Sequence, residues 1–149
     1  MTKTVFILNG PNLNLLGERE PHIYGHETLA MIEQRCIERG REHGFRIDFR
    51  QSNIEGEIIN SVHEARKVAS AIIINPAGFS FTSIALLDAL KAFDGLKLEV
   101  HLSNIHQREA IYHHSLVSKT AHAVIAGLGA DGYILALDAL RRKFDAAAE

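Results

Sequence analysis

The sequence predicts an α/β fold in three layers, a parallel five-stranded sheet with helices on both faces, and three observations predict it. Short runs rich in β-branched and aromatic residues alternate strictly with segments of helical period. Residues 72–74 and 124–125 are apolar without polar alternation, as strands become when helices cover both faces of a parallel sheet. At 149 residues the chain fits one domain, 1–149, long enough to bury a real core.

Taken in order, Val5-Phe-Ile-Leu8 opens the pattern as the first strand, and a helix is expected over residues 28–43. Phe45-Arg-Ile-Asp-Phe49 is the second strand, followed by helical periodicity over 55–69. Ala71-Ile-Ile-Ile74 is the third, and a helix over 82–93 separates it from a fourth at 96–102. Ala123-Val-Ile-Ala126 completes the set, with a terminal helix over 133–144. Five strands in this alternation predict a flavodoxin-like order, 2-1-3-4-5. In that order strands 1 and 3 are neighbours whose connections leave to opposite faces, which opens a crevice at their carboxyl ends.

Composition removes several classes of function. Sixteen basic against eighteen acidic side chains give a formal charge of -2, no counterpart to a polyanionic backbone, so no nucleic-acid partner is expected. The apolar segment that ends at Asn9 is too brief for a signal-peptide core or a membrane span, so the expectation is a cytoplasmic protein with no membrane partner. Cys36 has no second cysteine in the chain and reads as a buried structural thiol.

Polar clusters mark three strand ends: Asn9-Gly-Pro-Asn12, Asn75-Pro76 and His101-Leu-Ser103-Asn104. Ligands of open α/β sheets bind at such ends, so an active site for a small molecule is the leading reading. Residues 10–27 are too long for a routine βα connection and read as a lid or binding loop, carrying Arg19, His22 and Tyr24. Glu99 lies two residues before His101 on one strand face, where it can hold the imidazole's orientation and proton.

Over essentially its whole length the sequence resembles the type II 3-dehydroquinate dehydratases. The resemblance is carried by Leu8-Asn-Gly-Pro-Asn-Leu-Asn-Leu-Leu-Gly17, Arg19-Glu-Pro21 and Ile23-Tyr-Gly25, and then by Gln51-Ser-Asn53, Glu55-Gly-Glu57, Asn75-Pro76, Thr82-Ser83 and Asp88. Glu99-Val-His-Leu-Ser-Asn-Ile-His106, Arg108-Glu109, His114-Ser115 and Gly127-Leu-Gly129 extend it. It implies a flavodoxin-like subunit, usually assembled as a dodecamer of four trimers, that removes water from 3-dehydroquinate through an enolate without metal or Schiff base, in aromatic biosynthesis or quinate breakdown. By matching position, Tyr24 would be the base, His101 the acid, and Asn12 a partner of the enolate oxygen. Asn75 would meet a ring hydroxyl, Leu102 and Ser103 the carboxylate, and Asp88 a neighbouring subunit's site.

A free tyrosine, with a pKa of about 10, serves as a base only where its phenolate is stabilised. Arg19, five residues away, is the natural source of that stabilisation, and Arg108 is a second candidate. Two positions depart from the family: Phe81 stands where it has His, and Tyr112 where it has Arg. Phenylalanine cannot hydrogen-bond and tyrosine offers a single donor, so a tenfold to hundredfold loss on the standard substrate is the expectation, at about 1 to 3 kcal/mol per unpaired buried hydroxyl. The alternative is a divergent member that dehydrates a related cyclic hydroxyketone, or an inactive binding module.

Two rival motifs are present. Gly127-Leu-Gly-Ala-Asp-Gly132 spells GxGxxG, but only a terminal helix follows it, where a dinucleotide fold needs a further strand, so tight helix packing is its expected role. His101, His106, His113, His114 and His122 crowd a short span without a recognised ligand spacing, and neither a metal nor another cofactor is expected.

Overall fold

In a computed structural model, residues 2–149 are described, all but Tyr24 with their side chains. Five strands, β1 (Lys3–Asn9), β2 (Phe45–Gln51), β3 (Ala71–Asn75), β4 (Leu96–His101) and β5 (Ala123–Ala126), form one parallel sheet in the predicted order β2-β1-β3-β4-β5. Helices α2 (Leu29–Glu42) and α5 (Asp131–Ala148) cover one face, and α3 (Glu55–Val68) and α4 (Ile84–Lys91) the other.

Alternation along the strands sorts the core into two halves. Val5, Ile7, Ala71, Ile73, Leu98 and Val100 pack with Ile32, Cys36, Tyr133, Leu137 and Leu140 on the α2/α5 side. Phe6, Leu8, Ile72 and Ile74 pack with Ile58, Val62, Leu86 and Leu90 on the α3/α4 side. Cys36 is fully buried, and burial pushes its thiol up to about 12, so it stays a neutral core group.

Several boundaries differ from the sequence expectation for local reasons. The fourth helix starts at Ile84 rather than at residue 82, because Ser83 caps it, its Oγ accepting from Leu86 N at 2.9 Å, and residues Ala77–Phe81 form a 3-10 turn instead. Thr28 caps α2 in the same way, accepting from Met31 N at 3.2 Å. The last helix is longer than expected at both ends: it begins at Asp131, an acid in the first turn, and runs to Ala148 through helix-favouring alanines and an Arg141–Asp145 pair at 2.9 Å. The long loop after β1 contains a 3-10 turn at Leu13–Leu15 and a short helix, α1 (Pro21–Tyr24), with Pro21 at its first position.

Gly132 lets α5 press on the sheet, since a Cβ there would lie 3.1 Å from Val100 Cγ1. This is the packing expected for the GxGxxG stretch. Among the described residues, no helix is long and apolar enough to cross a membrane.

Candidate active site

At the carboxyl ends of β1 and β3 the backbones come together before diverging. Gly10 N donates to Asn75 O at 2.9 Å, and a Cβ on Gly10 would stand 2.3 Å from Pro76 O, so only glycine fits. Beyond this point a cleft opens toward solvent. Three segments line it: Pro11, Asn12, Leu13, Leu15, Leu16 and Arg19 after β1; Asn75, Ala77, Gly78 and Phe81 at the end of β3; and His101 to Ser103, Ile105, Arg108 and Tyr112 after β4.

The loop after β1 is braced from β2. Asn12 adopts a left-handed backbone (φ 69°), and its N–H donates to Asn53 Oδ1 at 2.9 Å. Gln51 Nε2 donates to Gly10 O and to Asn53 Oδ1, both at 3.1 Å. Further along, Arg35 on α2 pairs with Glu27 at 2.8 Å and with Asp131 at 2.6 Å, tying the loop's return to the start of α5.

His101 and Glu99 are 4% and 0% exposed, and the imidazole Nε2 hydrogen-bonds Glu99 Oε2. The other carboxylate oxygen, Oε1, accepts from Ser118 Oγ at 2.6 Å. Burial alone would raise the Glu99 carboxyl, but the hydrogen bond and charge of His101, with the Ser118 hydroxyl, outweigh it and hold the group below the ordinary carboxylate range. An ionised Glu99 accepts Nε2–H, so Nδ1 is the nitrogen left for a ligand, and it carries a proton when the ring is imidazolium.

At the far wall Phe81 and Tyr112 meet edge to face, centroids 5.3 Å apart at 81°, and the Arg108 guanidinium stacks 3.9 Å from the Tyr112 ring centre. Asn75 is buried and faces the cleft, with its amide bonded to Tyr133 and to Ala77 N. Arg19 reaches the cleft from the loop and lies 3.6 Å from Glu20.

The tertiary structure thus brings together Asn12, Arg19, Asn75, Phe81, His101, Leu102, Ser103, Arg108 and Tyr112, with Glu99 behind His101. Asp88 does not line this cleft; it lies exposed on α4. Tyr24 ends α1 in the loop, and its side chain lies outside the described residues. The sequence reading quoted Gln51 and Asn53 without giving them their role of bracing the loop, and it did not single out Ser118, which completes the Glu99 carboxylate, or Tyr133. A polar pair at the end of β2 was the available signal for the bracing role, whereas Ser118 and Tyr133 have none, being 19 and 58 residues from the partners they serve.

Of the clustered histidines, His113 bonds Arg108 O at 2.6 Å and His122 accepts from Lys97 N at 3.1 Å. Among the described residues, no group of three His, Cys, Asp or Glu is placed to hold a metal ion.

The parallel sheet of order β2-β1-β3-β4-β5 defines a flavodoxin-like α/β protein, with a buried imidazole–carboxylate couple beside a small cleft at the carboxyl ends of its strands. Comparison with known proteins narrows the class: the family model described as Dehydroquinase class II matches residues 3–141. The chain belongs to that family. It is 58% identical to a 3-dehydroquinate dehydratase of Cereibacter sphaeroides, covering 92% of this chain and 93% of the relative. It is also 53% identical to 3-dehydroquinate dehydratase 2 of Pseudomonas aeruginosa, covering 99% and 100%. The crystal structure of a type II dehydroquinase from Propionibacterium acnes superposes with a TM-score of 0.92 at 44% identity, covering 95% of this chain and 98% of that one.

Proposed function

We propose that this protein is a type II 3-dehydroquinate dehydratase, a hydro-lyase, and the observation that carries the reading is the buried Glu99–His101 couple facing the cleft in a chain of this family. Tyr24, as phenolate, removes a proton from the carbon beside the ketone and leaves an enolate. Arg19 and Arg108 supply positive charge for the phenolate, and Asn12 a donor for the enolate oxygen, a contribution of about 3 to 4 kcal/mol where such donors have been removed. His101, protonated and backed by Glu99, then gives its proton to the departing hydroxyl: the C–O bond breaks, water leaves, and a conjugated enone forms. Tyr24 ends protonated and His101 neutral, so one proton returns through solvent before the next cycle. Asn75 holds a ring hydroxyl, and the segment Leu102–Ser103 the substrate carboxylate. The assembly is a homo-oligomer, a dodecamer of four trimers, in which Asp88 reaches a neighbouring cleft.

A second reading has its own observation. Phe81 and Tyr112 both line the cleft and are packed against each other, presenting an aromatic wall with a single hydroxyl, which favours a related cyclic hydroxyketone with less to hydrogen-bond on that side.

Both are decided by mixing purified protein with 3-dehydroquinate, in the presence of EDTA, and following the ultraviolet absorbance of the enone. The expected result is sustained turnover, unaffected by the chelator and lost by about 10² to 10⁴-fold in His101→Ala and in Tyr24→Phe. A folded protein without turnover on 3-dehydroquinate but active on a deoxygenated analogue would replace the first reading with the second.

A further inference from the structure

Asn75 lines the cleft, and its amide has its orientation imposed from outside. Four hydrogen bonds run in one chain through the buried strand ends. Asn9 Nδ2 donates to Arg50 O at 3.0 Å, the Tyr133 hydroxyl donates to Asn9 Oδ1 at 2.6 Å, and Asn75 Nδ2 donates to Tyr133 Oη at 3.1 Å. At the far end Ala77 N donates to Asn75 Oδ1 at 3.2 Å. Both ends are backbone groups of fixed character. A carbonyl can only accept, so Asn9 must turn its nitrogen to Arg50; an N–H can only donate, so Asn75 must turn its oxygen to Ala77. The phenol between them then has one arrangement, donor to Asn9 and acceptor from Asn75. Asn75 Nδ2 has two hydrogens, and one is spent on Tyr133; the second is the donor left for the cleft.

Tyr133 is fully buried on α5, in the stretch Gly127–Gly132 introduces, and burial raises its phenol above the ordinary tyrosine range, so it stays protonated and keeps its donor. Gly132, by admitting α5 to contact with β4 and β5, brings the ring within reach of β1 and β3. The dehydratase reading uses neither the GxGxxG stretch nor this phenol.

We propose that Tyr133 is a positioning residue of the active site: through the Asn9–Tyr133–Asn75 chain it locks Asn75 so that the cleft meets an amide N–H, and selects a ligand oxygen that accepts there. This rests on the reading that Asn75 contacts the substrate. Tyr133→Phe keeps the ring and removes both hydrogen bonds. Its expected effect on 3-dehydroquinate is a loss of about tenfold in kcat/KM, carried by KM, with kcat within about threefold, the signature of a lost contact equal in ground and transition states. A loosened core would instead lower the active fraction and so kcat.

A double-mutant cycle with Asn75→Ala separates the two further. If Tyr133 acts through Asn75, its substitution costs less than about twofold in the Asn75→Ala background; the same tenfold loss in both backgrounds would overturn the proposal. Asn9→Ser, which removes the phenol's acceptor one step further back, repeats the cycle if Tyr133→Phe does not fold, and loss of the fold in both would overturn it by assigning the chain to core stability alone. Wild-type protein inactive on 3-dehydroquinate would sink the substrate reading and this proposal with it, whereas an active wild type with an additive cycle sinks the proposal only.

Discussion

His101 and Glu99 lie two residues apart on β4, and the proposed acid step rests on this one pair of side chains. A strand's alternation puts them on one face, the neighbouring layers bury both, and the resulting couple holds a carboxylate charged where burial alone would neutralise it. Glu99→Gln keeps the shape and removes the charge behind the imidazolium, so kcat falls about 10- to 100-fold with KM within about threefold, measurable in the enone assay. The same substitution reads out in stability. Because the folded carboxyl lies below its ordinary value, its contribution is present above the ordinary carboxylate pKa and is lost as pH falls through the lowered one. Urea midpoints of the wild type therefore decline more than those of Glu99→Gln between about pH 5 and about pH 3; parallel declines would refute the charged state. At the opposite wall, the Phe81–Tyr112 contact couples two substitutions. Phe81→His with Tyr112→Arg raises kcat/KM on 3-dehydroquinate by about tenfold or more, and the single changes sum to less than the pair because each leaves its neighbour without a packing partner. Unchanged kinetics in the double variant would show that the aromatic wall is neutral toward this substrate.

Among the elements, the junction of β1 and β3 governs the site, because it sets where the loops that carry Asn12 and Asn75 part company. Gly10→Ala forces a Cβ to 2.3 Å from a carbonyl oxygen that belongs to backbone and cannot swing away. Destabilisation of about 2 kcal/mol or more is expected by chemical denaturation, with a loss of turnover in whatever fraction folds. Gly132→Ala meets only side-chain methyls, Val100 Cγ1 at 3.1 Å and Ile125 Cγ2 at 3.5 Å, and costs less than about 1 kcal/mol. Equal effects at the two glycines would contradict this ranking. Helix positions were legible to within a few residues because their signals are local: Thr28 and Ser83 are capping residues. The short helix Pro21–Tyr24 was not, since four residues are too few to show a period.

For the whole molecule, the location of Asp88 is the informative feature. It sits exposed on α4, outside the cleft of its own chain, so a part in catalysis requires a second copy. Light scattering is expected to report a multiple of three subunits, and Asp88→Ala to raise KM although no cleft residue of the same chain has changed. A fully active monomer would remove Asp88 from the site.

Strand number, alternation and length of the apolar runs determined the parallel sheet, its order and the strand ends at which the cleft opens, because burial on both faces imprints itself on every core strand as local pattern. The residues Asn12, Asn75 and His101 were legible there for the same reason: Asn75 and His101 end β3 and β4, and Asn12 lies three residues past the end of β1. Only the tertiary structure decided the rest. Lys97 is buried on β4, its ammonium donating to the carbonyls of Leu90 at 3.0 Å and Phe93 at 2.8 Å, and the Glu99–His101 pairing expected from their spacing is completed by Ser118 from outside the strand. The partners that satisfy them, like Ser118 for Glu99 and Tyr133 for Asn75, come from other elements, and hydrogen bonds between distant segments leave no periodicity in a sequence.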